Sequence, residues 1–128
     1  MNPSVPVSWG ELLDKVTILE IKTQRLTSEA ALVNVRHELA QLSTFAQQAE
    51  GLNPDIVRLK GELKQINEAL WQIEDEVREK EAAKIFDTEF IRLARAVYHN
   101  NDARGRLKQQ INQLLKSGLT EEKQYSRY

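Results

Sequence analysis

The chain has 128 residues, a formal net charge of −1 and no cysteine. That length fits one domain able to bury a core without metals or disulfides. The missing thiols exclude cysteine catalysis, disulfides and thiolate metal sites, and the near-neutral balance argues against a whole surface that binds polyanions. Glu, Gln, Lys, Leu, Ala and Arg dominate while Gly and Pro are few, the usage of long helices and coiled coils. No apolar run approaches the roughly 18 residues of a membrane span. Met1 to Ser8 has neither the basic nor the apolar region of a signal peptide. A cytoplasmic protein with no membrane partner is the expectation.

Met1 to Val7 carries Pro3 and Pro6 and reads as an extended lead-in. Ser8 followed by Glu11 has the spacing of a capping box, with Val7 and Leu12 placed as a hydrophobic staple. From there two apolar stripes run along a helix. One holds Leu12, Val16, Leu19 and Leu26. The other runs through Asp14, Ile18, Ile21 and Arg25 and stays in phase to Leu32, Val35, Leu39, Leu42, Ala46 and Ala49. This continuity predicts one helix over 8–50, the alternative being a kink or break at Thr27-Ser28. Two stripes call for two neighbours, one of which the spacing assigns to a third helix or a second subunit.

Gly51 is placed to take a left-handed turn and Asn53-Pro54 to start a second helix over 54–86, antiparallel to the first. Its seam is Ile56, Leu59, Leu63, Ile66, Leu70, Ile73 and Val77, and its last part, Glu74 to Lys84, is almost wholly charged. Asp87 is a cap, with Phe86 and Ile91 as its staple, for a last helix over 88–116. The poor helix formers Asn100 to Gly105 mark a second site for a kink. Residues 119–128 form a polar tail. The fold class is therefore all-α, an antiparallel long-helix hairpin plus a third long helix, packed as a coiled-coil-like three-helix bundle.

On a helical wheel Asn101 and Arg104 fall on the apolar line of Phe90, Ala94 and Val97, so they face the bundle. A guanidinium there needs a carboxylate. Asp14, on an otherwise apolar seam, is the leading partner, with Glu11 and Glu81 behind it. Two readings compete. Asp14, Tyr98, Asn101 and Arg104 line a pocket for an anion or polar ligand, or Asp14 and Arg104 form a buried ion pair that fixes helix register. No catalytic set is assembled, since Ser8 is explained by capping and no Gly-rich phosphate loop exists. His37 and His99 lack the Glu-x-x-His spacing of helical metal sites, so no metal and no cofactor are expected. The basic residues of the last helix, Arg92, Arg95, Arg104, Arg106, Lys108 and Lys116, raise nucleic-acid binding as a weaker reading. A packing of that helix against the acidic Glu74–Glu81 stretch explains them as well.

Ser8-x-Gly10-Glu11-Leu12-x-Asp14-Lys15-x-Thr17-Ile18-Leu19-x-Ile21-Lys22 resembles the opening of a small bacterial all-helical family without an assigned function. Asn34-Val35-x-x-Glu38-Leu39 is similar to its next block. Phe86-Asp87-x-Glu89-Phe90-Ile91-x-Leu93-Ala94-Arg95-x-Val97-Tyr98-x-x-Asn101-Asp102-x-Arg104 is similar to its most distinctive block, and Glu121-Glu122-Lys123-x-Tyr125 to its close. The resemblance covers nearly the whole chain and implies a bacterial source. It supplies no activity, cofactor or catalytic residue. The sequence thus points to a non-enzymatic interaction or scaffold protein that forms a homodimer, with the Asp14/Asn101/Arg104 ligand site as the alternative.

Overall fold

The computed structural model describes residues 1–119 and 121–128. Four helices make up its regular structure: α1 (Trp9–Arg25), α2 (Glu29–Leu52), α3 (Asp55–Ala82) and α4 (Thr88–Leu114), with no strand among the described residues. The chain is all-helical, as its composition requires, but with four helices where the apolar phasing predicts three.

The expected helix over 8–50 is two helices. Leu26 is extended at φ −74° and ψ 143°, and the Ser28 hydroxyl accepts the Ala31 amide at 3.3 Å, starting α2. The stripe that looks continuous across Thr27-Ser28 is folded onto itself. Leu19 and Ile21 of α1 and Leu32 and Val35 of α2 are buried in the resulting hairpin, and Lys15 meets Glu38 at 3.4 Å. An amphipathic hairpin keeps both arms in phase, so phase alone does not separate it from one long helix.

The next corner is built differently from its sequence signal. Gly51 lies inside α2, and no glycine of the described chain has a positive φ. Asn53 carries the turn, its side-chain oxygen accepting the Asp55 amide at 3.0 Å, and Pro54 sits at helical φ and ψ before α3. α2 and α3 touch little beyond this corner. The second hairpin is α3 with α4, not α3 with its predecessor. Its turn is closed by Lys84 at φ 56° and by Asp87, which caps α4 through the Phe90 amide at 2.9 Å and receives the Lys80 ammonium at 2.9 Å. Phe86 packs edge-on against Phe90 rather than with Ile91, which is exposed. α4 runs unbroken through Asn100–Gly105 and ends at Leu114, two residues short of the expected end, with Lys116 in the left-handed region.

The two hairpins meet through α1. Its residues Gly10, Glu11 and Asp14 bond to α4, and Asp14, Thr17 and Glu20 reach α3. α1 is thus laid across the α3–α4 pair, and all four helices supply the core: Leu13 and Val16, Ala46 and Ala49, Ile56, Leu59 and Leu63, Leu107 and Ile111. Ile21 on the second stripe of α1 is buried within the chain, and Ile18 of the same stripe is half-buried.

α3, at 28 residues, is about 42 Å long. Its seam is buried at Ile56, Leu59 and Leu63, beneath α1, and only half-buried at Ile66, Leu70, Ile73 and Val77 beyond it. Among the described residues no hydrogen bond or ion pair from α1 or α2 reaches past Asn67 on α3, or towards the turn past Arg104 on α4. The far half of the second hairpin is a two-helix arm.

Candidate functional site: a polar network between the first and last helices

The start of α1 is held by residues from the far end of the chain. The first three helical amides find three different acceptors: Trp9 N–H donates to Ser117 Oγ at 3.0 Å, Gly10 N–H to Asn112 Oδ1 at 2.7 Å, and Glu11 N–H to Ser8 Oγ at 3.1 Å. The orphan donors of this helix end are thereby satisfied inside the fold.

One turn further on, Asp14 is buried, its side chain 3 % exposed. Arg104 clamps it with a two-pronged bond, Nε to Oδ1 at 2.8 Å and Nη2 to Oδ2. Asn67 of α3 donates both amide protons inward, to Asp14 Oδ1 at 3.0 Å and to Thr17 Oγ1 at 2.9 Å, while the Thr17 hydroxyl donates to the Asp14 carbonyl at 2.8 Å. Three helices are therefore pinned at one carboxylate. Burial pushes the Asp14 carboxyl up. The hydrogen bonds from Arg104 and Asn67 and the charges of Arg104 and Lys108 outweigh it, and the group lies below its ordinary value. Arg104 is raised in turn, chiefly by its bond to Asp14.

Beside this pair stands Lys108, buried but for 7 % of its side chain. Its ammonium donates to Glu11 at 2.9 Å and lies 2.7 Å from Glu121. Burial alone would lower it. The two carboxylates outweigh that and hold it above its ordinary value. Glu121, from the tail, is lowered by the same contact.

The four residues singled out from sequence are not one constellation. Asp14, Arg104 and, through a long 3.5 Å contact to Arg104, Asn101 come together. Tyr98 does not join them: its ring packs at 5.2 Å from His99 and 4.8 Å from Tyr128, whose hydroxyl donates to Asp102. Glu11, held in reserve for Arg104, serves Lys108 instead. Sequence reasoning missed Thr17, Asn67 and Asn112, and set Lys108 on the basic face of the last helix rather than in this network. Asn67 stands one turn after Leu63, and Lys108 one turn after Arg104. A polar residue at a seam position was the only available signal for either.

His99 and Asp102 both contact Tyr128 rather than a shared ligand position. Among the described residues no group of three or more His, Asp or Glu stands where it would hold a metal ion. The last helix packs against α3 as expected, and the charge of Glu76 helps raise Arg92, but among the described residues no direct ion pair joins the acidic stretch to the arginines of α4. Glu74 meets Arg78, Glu81 meets Lys84 and Arg92 meets Glu89, each within its own helix or its end. No helix of the described chain is long and apolar enough to cross a membrane.

The fold and this network define an all-helical protein whose most buried charges tie its helices together. The chain belongs to the family described as "Family of unknown function (DUF6165)", which matches residues 3–127. No curated protein and no solved structure matches it.

Proposed function

We propose that the protein is a non-enzymatic interaction or scaffold protein, and that the Asp14–Arg104 pair is a register-fixing element of it rather than a ligand site. The observation that supports this is the closure of the pair. Both oxygens of Asp14 accept protein donors, and both protons of the Asn67 amide are used within the cluster. A carboxylate so engaged, and held below its ordinary value, stays ionised at neutral pH and has no proton to exchange. Breaking such a pair leaves a bare buried charge, which is why it specifies one packing of three helices. Partners are then read from the surface, with a second copy of the chain foremost, another protein next and nucleic acid last.

The test is thermal unfolding of the wild type and Arg104→Ala with and without millimolar phosphate. A structural pair predicts a large loss of stability in the variant and no shift of the wild-type midpoint with phosphate. A phosphate-dependent rise lost in the variant would instead support the anion-binding reading.

A further inference from the structure

We propose that residues 121–128 form a releasable strap, laid along one face of α4 and able to lift off it without disturbing the four-helix core, and that lifting it vacates a carboxylate position on Lys108. This goes beyond the interaction reading, and neither depends on the other.

The first observation is register. Glu121 lies 2.7 Å from the Lys108 ammonium. Lys123 passes over Gly105, where an added Cβ would stand 3.6 Å from its Nζ. The Tyr128 hydroxyl donates to Asp102, and its ring packs 4.8 Å from that of Tyr98 and 4.6 Å from that of His99. Along α4 the contacted positions are thus Lys108, Gly105, Asp102 and Tyr98, in steps of three, three and four, which share one helix face. The segment therefore runs antiparallel to α4. Extended, it reaches about 23 Å, whereas the helix from Tyr98 to Lys108 spans about 15 Å, so it lies down with slack.

The second observation is how lightly the segment is attached. Residues 122–128 are all exposed. Among the described residues no backbone–backbone hydrogen bond holds residues 121–128. An open cleft of about 460 Å³ is lined by Tyr125 and Tyr128 from the segment and by Asp102 and Arg106 from the helix. Glu121 alone touches a buried charge, that of Lys108, and release would be costly there if it left the ammonium bare. Glu11 prevents this. It accepts from the same ammonium at 2.9 Å out of α1, so Lys108 keeps a counter-charge when Glu121 leaves. Segments attached by exposed contacts open locally at free energies well below that of global unfolding.

The third observation is what the strap closes. The charge of Glu121 acts on Arg104 as well as on Lys108, so the segment forms the outer side of the polar network. Without it Asp14 and Glu11 still balance Arg104 and Lys108. The position that Glu121 leaves on Lys108 is then open to a carboxylate from outside.

The test reads the tip of the strap while changing its root. The Tyr128 ring protons of the full chain, followed by NMR, are expected to be shifted by the rings of Tyr98 and His99, with Tyr125, 73 % exposed, as the free-ring reference. Glu121→Ala is expected to move the Tyr128 signals to free-ring values and to leave the urea midpoint unchanged, whereas Lys108→Met lowers that midpoint. Wild-type Tyr128 signals already at the Tyr125 values overturn the strap. So do Tyr128 signals that stay shifted in Glu121→Ala, because root and tip then do not release as one. A midpoint that falls as far in Glu121→Ala as in Lys108→Met makes the segment part of the core and overturns its release.

Discussion

Gly10 of α1 lies so close to α4 that a Cβ built on it would stand 2.5 Å from the carbonyl oxygen of Lys108 and 2.9 Å from Asn112 Oδ1. A backbone oxygen cannot step aside as a side-chain tip can. Any larger residue must lever α1 away from α4 and stretch the bond from the Gly10 amide to Asn112.

Gly10→Ala is therefore expected to destabilise the fold by about 2–3 kcal/mol, the upper range for overpacking. This holds although alanine is the better helix former by about 1 kcal/mol. Urea unfolding checks it, and an unchanged midpoint would mean that the two helices are not in contact there.

Arg104→Ala leaves Asp14 buried with Asn67 as its remaining side-chain donor. The expected loss is about 3 kcal/mol, the lower end for breaking a buried pair, because the guanidinium is partly reached by water. Replacing both residues by apolar ones, Asp14→Leu with Arg104→Leu, is expected to be milder than Arg104→Ala alone, since no charge is left behind. A double-mutant cycle by denaturant unfolding measures this coupling.

Stability against pH follows from the same pair. The folded Asp14 carboxyl lies below its unfolded value of about 3.9. Its contribution is complete above that pH and is lost as pH falls through the lower folded value. The Lys108 ammonium is raised, so its contribution is complete below its unfolded value of about 10.4 and is lost as pH rises through the higher folded one. Unfolding midpoints of the wild type, Asp14→Asn and Lys108→Met across pH are expected to show each variant flattening one limb, acid for the first and alkaline for the second.

Two exchanges involving glycine should each stabilise the fold, the one at Gly51 against its sequence signal. Lys84 holds φ 56° at the end of α3, a strained position for a residue with a Cβ, and its ion pair with Glu81 is exposed and long at 3.7 Å. Lys84→Gly is expected to stabilise by about 1 kcal/mol. Gly51 is helical with nothing within 4 Å of an added Cβ, so Gly51→Ala should stabilise by about 0.5 kcal/mol. Calorimetric midpoints of the two single variants decide both.

What the sequence made legible was local chemistry. The caps at Ser8, Asn53 and Asp87 stand where their hydrogen-bonding side chains put them, because an N-cap is decided within four residues. The Asp14–Arg104 pair was legible for a different reason: each charge interrupts an apolar line, and the two have opposite sign. The break at Leu26–Ser28 was legible only as an alternative, since Ser28 can cap a new helix but no glycine or proline marks the end and both arms keep one phase. The crossing of α1 over the second hairpin was not legible. It depends on Gly10 allowing contact with Lys108, and a lone glycine in a first turn carries no sign of what approaches it. Tyr98 was misplaced because a wheel shows which face a ring is on and not that Tyr128 returns to cover it.

The groups that complete α1 all come late. Ser117, Asn112, Lys108 and Arg104 follow their partners by 108, 102, 97 and 90 residues. On the ribosome, at about 5–20 residues per second, α1 waits some 5–20 s for them. During that time Asp14 has no counter-charge, and the first amides of α1 lack the acceptors that Asn112 and Ser117 will bring. The growing chain can close its first hairpin early, but α1 can dock only after nearly all of α4 has been made. The packing of α1 therefore cannot be completed before α4 has been made.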